Sequence, residues 1–150
     1  MMSTAEVYRK YQQPMGSFLS ALKQSLNPKS FELGLSIDSI ILSRDQTSLF
    51  IGLPSDQVVI LNLKTGTQEY LESPLHETSH ITSMASSASR NLLFTGSTNG
   101  SIKVWNFSLK CLVSQLEGHR SQVTSLSVNL EETTLVSGDT EGKIIFWNTD

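Results

Sequence analysis

From residue 30 onward the chain alternates apolar and polar positions in short runs, which is the pattern of half-buried β-strands. Residues 119–148 show it most clearly, because three such runs follow one another there: Val123–Val128, Thr134–Asp139 and Ile144–Asn148. Gly142 lies between the second and third runs, where a tight hairpin needs a positive φ. The pattern predicts three short antiparallel strands in this stretch.

The same group of strands recurs upstream with a nearly constant period. Gly52, Gly96 and Gly138 each end a strand-like run, and the steps between them are 44 and 42 residues. Asn62, Asn106 and Asn148, each at the end of the next run, repeat these steps. The period predicts three units that stack so that each covers a face of its neighbour. We place these units at residues 35–76, 77–116 and 117–150.

The upstream strands can be assigned from the same alternation. In unit one we expect strands at 39–43, 48–52 and 58–62, and in unit two at 81–85, 91–95, 101–105 and 111–116. Asn99-Gly100 and Glu141-Gly142 then form the turns between the second and third strands of units two and three. Unit one has Ser55-Asp56 at this turn and no glycine, so we expect a different turn type.

The pairs Gly118-His119, Ser137-Gly138 and Trp147-Asn148 resemble those of a WD40 β-propeller blade, in which Trp-Asp usually ends the third strand. The resemblance covers residues 35–150 and implies an all-β fold of about three blades in an incomplete ring. Three blades do not close a ring, so we expect a fragment of a longer chain or a product that needs association. Family members act as non-catalytic scaffolds that bind proteins or peptides of larger complexes.

A finer resemblance concerns two stretches. Residues 117–128, together with Leu135–Gly138, are similar to a blade of the WD-repeat proteins that process pre-ribosomal RNA, and residues 93–102 are compatible with their preceding blade. Those proteins work with partner proteins in large-subunit maturation. The resemblance implies a role in ribosome biogenesis, with an RNA-associated assembly factor as the alternative.

Residues 1–30 differ from the rest of the chain. Phe18, Leu19, Leu22 and Leu26 recur at helical spacing, and Asn27-Pro28 would end such a helix. We therefore predict a helical or flexible N-terminal segment. It is either a lead-in that packs on the neighbouring domain or an amphipathic docking helix for a partner.

Composition narrows the range of functions. Eleven basic and fourteen acidic residues give a net charge of −3, which provides no excess for general binding of nucleic acid or anionic membranes. The single cysteine excludes an intrachain disulfide framework, and no apolar run approaches the roughly 20 residues of a membrane-spanning helix. No secretory signal begins the chain. We expect an intracellular protein of the nucleus or cytoplasm, without membrane partners and with nucleic acid contacted only indirectly.

Unit three contains the residue types of a hydrolytic triad in His119, Ser137 and Asp139. The WD40 resemblance implies a structural network instead, in which a histidine, a strand hydroxyl, a turn acid and a tryptophan bond to one another because buried imidazole and indole groups need partners. On this interpretation the network residues are His119, Ser137, Glu141 and Trp147 in unit three, and Thr95, Asn99 and Trp105 in unit two. Unit one has Leu61 in place of the tryptophan, so no network is expected there.

Two further groups could in principle carry chemistry. His76 and His80 are four residues apart, but Pro74 and Thr78 indicate a loop, and no third ligand is near in sequence. One of the two could instead take the network position before Ile81. Cys111 begins a predicted outer strand and is interpreted as a packing residue rather than a nucleophile. We therefore expect no metal and no cofactor.

The loops at one end of the blades are the candidate contact surface. Arg120 and Gln122 lie before the first strand of unit three, and Asn99, Thr140 and Glu141 lie in turns between second and third strands. WD40 proteins commonly meet peptides on this face. The alternative is an ordinary solvated rim without a partner.

Overall fold

The computed structural model describes residues 32–71 and 78–149. The described residues contain strands and no helix, and the three sheets lie within one compact unit, Leu35–Asp150. The predicted N-terminal segment, residues 1–30, lies outside the described residues. The strands are β1 Ser39–Leu42, β2 Ser48–Leu53, β3 Gln57–Asn62, β4 Gln68–Leu71, β5 Ile81–Ser87, β6 Leu92–Ser97, β7 Ile102–Asn106, β8 Cys111–Leu116, β9 Val123–Val128, β10 Thr134–Asp139 and β11 Ile144–Asn148.

Each sheet is an antiparallel meander in chain order. Sheet one contains β1 to β4, sheet two contains β5 to β8, and sheet three contains β9 to β11. We call successive strands of a sheet a, b, c and d. This architecture confirms the all-β, blade-like fold expected from the repeat. Sheet one has a fourth strand, β4, which the apolar/polar alternation did not predict.

The turns between strands b and c differ in the way the spacing predicts. Gly100 and Gly142 adopt positive φ values of 86° and 83° in sheets two and three. In sheet one, Ser55 and Asp56 adopt φ values of 68° and 55° without a glycine. Aspartate is one of the few residues besides glycine that are enriched in this left-handed conformation. The consequence is that a carboxylate, rather than a glycine, occupies this turn.

Neighbouring sheets pack face to face through apolar side chains, and the glycines at the ends of the b strands mark the closest approach. A Cβ on Gly52 would lie 2.9 Å from Ile81 Cγ2, and a Cβ on Gly96 would lie 2.6 Å from Val123 Cγ1. These contacts explain the glycine repeat. The two apolar clusters consist of Phe50, Val58, Ile60, Leu71, Ile81, Met84, Leu93 and Trp105, and of Ala85, Phe94, Ile102, Val104, Val123 and Leu135.

The outer face of sheet three is uncovered in the described structure. Ile144 and Phe146 are 65% and 72% exposed, whereas Ile102 and Val104, at the equivalent positions of sheet two, are buried. The equivalent glycine, Gly138, has space for a Cβ with no atom within 4 Å. Within 32–71 and 78–149 there is also no helix with the length and hydropathy needed to span a membrane.

Candidate functional site

In sheet three, three elements bring a histidine, a serine and a tryptophan together. His119 precedes β9, Ser137 lies on β10, and Trp147 lies on β11. Trp147 Nε1 donates to Ser137 Oγ at 2.8 Å, and Ser137 Oγ lies 2.6 Å from His119 Nε2. The Ser137 hydroxyl therefore bonds both the indole and the imidazole. The ring centroids of His119 and Trp147 are 6.5 Å apart.

Asp139 supplies the carboxylate of this network. His119 Nδ1 lies 2.8 Å from Asp139 Oδ2, and both side chains are buried. Sequence spacing places Glu141 in this role; in the structure, Glu141 contributes its backbone amide, which donates to Asp139 Oδ1 at 3.0 Å, as does the Lys143 amide at 2.9 Å. The reason is local: strand b ends in Asp139, whose short side chain reaches both the turn amides and the imidazole.

These hydrogen bonds keep Asp139 ionised. Burial raises the pKa of Asp139, but the hydrogen bond from His119 and those from the Lys143 and Glu141 amides outweigh it, and the pKa lies below its ordinary value. An ionised carboxylate fixes the imidazole orientation, so the donor chain runs from Trp147 through Ser137 to His119 and ends on Asp139.

The order of atoms, hydroxyl to imidazole to carboxylate, is also that of a hydrolytic triad. Its surroundings differ from those of an active site, because Ser137 is only 1% exposed and its oxygen already accepts from an indole. A nucleophile must reach a carbonyl carbon and leave space for an oxyanion beside hydrogen-bond donors. The packing around Ser137 favours a structural network over a hydrolytic one.

Sheet two keeps the tryptophan-hydroxyl pair but not the rest. Trp105 Nε1 donates to Thr95 Oγ1 at 3.0 Å, and both side chains are buried. The Asn99 side chain accepts hydrogen bonds from the Ser101 amide and hydroxyl, at 3.0 Å and 2.7 Å. Those bonds close the turn around Asn99, the position at which the spacing places the turn acid of this unit.

The carboxylate at this interface comes from sheet one. Asp56, which is 0% exposed, accepts hydrogen bonds from Lys103 Nζ at 2.8 Å, from Ser97 Oγ at 2.7 Å and from Ser79 Oγ. Lys103 is also 0% exposed. Leu61 occupies the tryptophan position of sheet one, and the polar group that this sheet contributes to the interface is the Asp56 carboxylate.

The Asp56–Lys103 pair was not predicted from the sequence, and the structure buries the lysine completely. One signal was available: Lys103 lies within the strand Ile102–Asn106 between two apolar residues, and the equivalent positions of the other two units are Val59 and Ile145. A buried lysine requires a paired anion, but the sequence does not say which acid reaches it.

A third polar cluster lies at the opposite end of the sheets, in the a–b loops. Glu132 of sheet three accepts hydrogen bonds from Arg44 Nη1 at 2.6 Å and from Ser87 Oγ at 2.7 Å, and also bonds to Ser89. Hydrogen bonds from Ser89 and Ser87, with a further contribution from Arg44, outweigh burial and lower the pKa of Glu132 to about 2. One carboxylate therefore joins all three sheets.

The predicted contact residues meet at the b–c end. The Thr140 amide donates to the Gln122 carbonyl at 3.0 Å, and a Cβ on Gly100 would lie 2.8 Å from the His119 carbonyl oxygen, so both turns adjoin the loop before β9. A polar cavity of about 310 Å³ opens beside them. We define the loop surface by its exposed or half-buried side chains: Asn99, Arg120, Gln122, Thr140 and Glu141.

The remaining candidates are separated from one another. His80 Nδ1 contacts Asp38 Oδ2 at 2.8 Å on the surface, so His80 does not take the network position, and His76 lies outside the described residues. In the part of the chain that the structure describes, no group of three or more His, Cys, Asp or Glu could hold a metal ion. Cys111 is exposed at the start of β8, so its interpretation as a packing residue is wrong.

Comparisons with known proteins agree with the geometry. The family profile "WD domain, G-beta repeat" matches residues 71–106 and 110–148. No curated protein sequence matches the chain. The designed protein in "Crystal structure of the computationally designed Ika4 protein" is similar with a TM-score of 0.64 and 26% identity, over 77% of this chain and 67% of that one.

Two natural structures have the same fold. "Structure of U3-55K" superposes with a TM-score of 0.72 at 20% identity, over 79% of this chain and 38% of that one. "Crystal structure of RRP9 WD40 repeats" superposes with a TM-score of 0.71 at 20% identity, over 79% of this chain and 37% of that one. The chain thus spans less than two fifths of either protein. With half of its residues matched by the family profile and its three sheets built as blades, the chain belongs to the WD40 repeat family.

Proposed function

We propose that this chain is a non-catalytic scaffold that binds protein subunits or peptides of a larger complex through the loop surface. The observation that carries the proposal is the convergence of exposed polar side chains from separate loops at one end of the sheets. WD40 repeats form an interaction fold, and their loops display such side chains on a rigid core. Asn99, Arg120 and Glu141 offer an amide, a cation and an anion within this surface.

The loops are held in place before any partner binds. Gly100 and Gly142 close their turns with backbone hydrogen bonds to Ser97 and Asp139, both at 3.2 Å. The Asp139 carboxylate also anchors the turn that carries Thr140. A preformed surface loses little conformational entropy on binding, so a modest set of polar contacts suffices for a specific complex.

Charge reversal on the loop surface tests the proposal. We expect Arg120→Glu to remove partners recovered from cell extract by the tagged 150-residue chain, with quantitative mass spectrometry as the measurement. Lys64→Glu is the matched control, because Lys64 is exposed in the c–d turn of sheet one at the opposite end. Identical partner sets for the parent chain and both variants would contradict a role of the loop surface.

The hydrolytic alternative can be tested separately. If Ser137 were a nucleophile, a fluorophosphonate probe would label it, and Ser137→Ala would abolish the labelling. We expect no labelling of the folded chain, because Ser137 is buried and bonded to Trp147. Labelling that depends on both Ser137 and His119 would overturn the non-catalytic assignment.

A finer proposal places the scaffold in ribosome biogenesis, specifically in pre-ribosomal RNA processing in the nucleus, with RNA contacted through partner proteins. Its support is the sequence resemblance of residues 117–128, Leu135–Gly138 and 93–102 to that subfamily, together with a net charge of −3 that disfavours direct RNA binding. Crosslinking in cells should recover ribosomal or assembly proteins first and pre-ribosomal RNA only through them. Direct RNA crosslinks would favour an RNA-associated assembly factor, and recovery of neither would remove this refinement.

A further inference from the structure

A cavity of about 380 Å³ lies between sheets one and two, at the a–b end of the strands. This is the end opposite to the loop surface. Its volume falls within the range of side-chain and ligand pockets. The apolar part of its lining consists of Phe50, Ile60 and Phe107, and the Phe50 and Phe107 rings lie 5.1 Å apart at an angle of 51°. A tilted aromatic pair of this kind is a favourable wall for another ring or a branched aliphatic group.

The same site is not repeated at the next interface. The residue 42 positions after Phe107 is Thr149, whose backbone carbonyl accepts a hydrogen bond from the Arg90 guanidinium. A peptide group held by a guanidinium thus replaces the aromatic wall there. The cavity is therefore a property of this chain's first interface rather than of the repeat as such.

The charged side chains at the mouth of the cavity differ in whether an opposite charge is bonded to them. Arg44 is bonded to Glu132 at 2.6 Å, and Glu69 is bonded to Lys110 at 2.8 Å, so these charges are compensated. Asp45 is exposed, and its hydrogen bonds from described residues come from neutral groups, the Ser43 hydroxyl at 2.6 Å and the amide and hydroxyl of Thr47. These bonds lower the pKa of Asp45 to about 2. Among residues 32–71 and 78–149, no cation bonded to Asp45 offsets the charge of this carboxylate at the mouth.

The cavity wall is held in shape by the surrounding hydrogen bonds. The Ser43 amide donates to the Ser48 carbonyl at 2.8 Å, which closes the a–b loop of sheet one. The contact of Arg44 with Glu132 connects this loop to sheet three. An apolar side chain entering the cavity would therefore meet a preformed wall and displace water from Phe107, which is half-buried.

We propose that this cavity is a second protein-binding site, which receives a large apolar side chain, aromatic for preference, from a partner segment that carries lysine or arginine beside it. The ring packs on Phe107, the half-buried member of the Phe50–Phe107 wall, and the cation lies against Asp45. The site is independent of the loop surface, since it lies at the other end of the strands.

Blocked dipeptides test both parts of this recognition on the 150-residue chain. Acetyl-Phe-Lys-amide should shift the ring NMR signals of Phe50 and Phe107, and acetyl-Ala-Lys-amide should not. Acetyl-Phe-Glu-amide should bind more weakly than acetyl-Phe-Lys-amide. Asp45→Asn keeps a side-chain acceptor in the loop but removes the charge, so affinity for acetyl-Phe-Lys-amide should fall about two- to fivefold, the range of an exposed ion pair.

Two further variants complete the test. Glu131→Gln removes a charge from the exposed a–b loop of sheet three and should leave affinity unchanged. Ala88→Leu places extra volume in the cavity lining and should abolish the ring shifts while the other signals stay dispersed. Absence of ring shifts with every peptide overturns the site, and equal binding of the lysine and glutamate peptides overturns the role of Asp45. Arg120→Glu should leave these shifts intact, which separates this proposal from that for the loop surface.

Discussion

Sheets two and three each bond a tryptophan of strand c to a hydroxyl, but they surround that pair with different polar groups. In sheet three, Trp147, Ser137, His119 and Asp139 all come from one repeat and form a donor chain ending on a carboxylate. In sheet two, only the hydroxyl partner of Trp105 is retained, and the nearby carboxylate, Asp56, comes from the preceding sheet.

The difference shows two ways to stabilise adjacent blades. The sheet-three network satisfies each polar group within the blade, so its cost of burial is low. The pair of Asp56 and Lys103 buries two charged groups between blades, and loss of Lys103 would leave Asp56 without the cation that is bonded to it. We therefore expect the interface between sheets one and two to tolerate single substitutions least and paired substitutions better.

The largest effect is expected for Lys103→Ala. It leaves Asp56 buried without its cation, which should lower the free energy of unfolding by about 3–5 kcal/mol, measured by urea denaturation. Combining Lys103→Met with Asp56→Asn should recover a substantial part of the lost free energy of unfolding. Asparagine tolerates the positive φ and still accepts a hydrogen bond from Ser97. Lys143→Ala, at an exposed lysine, is the control. A double variant less stable than Lys103→Ala would contradict the paired-charge explanation.

Removal of the hydroxyl in each blade sharpens the comparison. Ser137→Ala leaves both the Trp147 N–H and His119 Nε2 without their partner and should cost about 2–4 kcal/mol. Thr95→Val leaves only the Trp105 N–H without its partner and should cost about 1–3 kcal/mol. Differential scanning calorimetry of the two variants measures the difference between their losses of stability. Equal losses would mean that the hydrogen bond between Ser137 and the His119 imidazole contributes nothing to stability.

Two equivalent glycines, one at a blade interface and one on the uncovered face, provide a matched pair of variants. Gly96→Ala places a Cβ 2.6 Å from buried Val123, and the strain should cost about 1–3 kcal/mol in urea denaturation. Gly138→Ala meets no atom within 4 Å and should change stability by less than about 0.5 kcal/mol. A comparable cost at both positions would indicate that strand propensity, rather than blade packing, explains the repeat.

A further prediction concerns acid sensitivity at the a–b end. The pKa of Glu132 falls from 4.5 to about 2 on folding, so the folded state binds fewer protons between these values. Its contribution is complete above about pH 4.5 and is lost as pH falls towards 2. Glu132→Gln should flatten this pH dependence in denaturation series, and exposed Glu131→Gln should not. Asp139 retains part of the slope, because its pKa is also lowered.

Much of the architecture could be predicted because it depends on neighbours in sequence. Strand alternation and the glycine turns at Gly100 and Gly142 are local, and the 42- to 44-residue repeat makes one well-defined unit informative about the others. The repeated glycines Gly52 and Gly96 also mark the places where neighbouring blades approach most closely. The same reasoning predicts most of the sheet-three network, because His119, Ser137 and Trp147 lie in one repeat.

Only the tertiary structure decided which groups compensate one another across repeats. Spacing within a turn does not distinguish Asp139 from Glu141, because side-chain reach and the direction of the turn amides make that choice. The pairing of Asp56 with Lys103 joins residues 47 apart, and that of Arg44 with Glu132 joins residues 88 apart. Electrostatic compensation in a buried site depends on distance in space, and alternation along a strand specifies which face a side chain takes but not which charge it meets there.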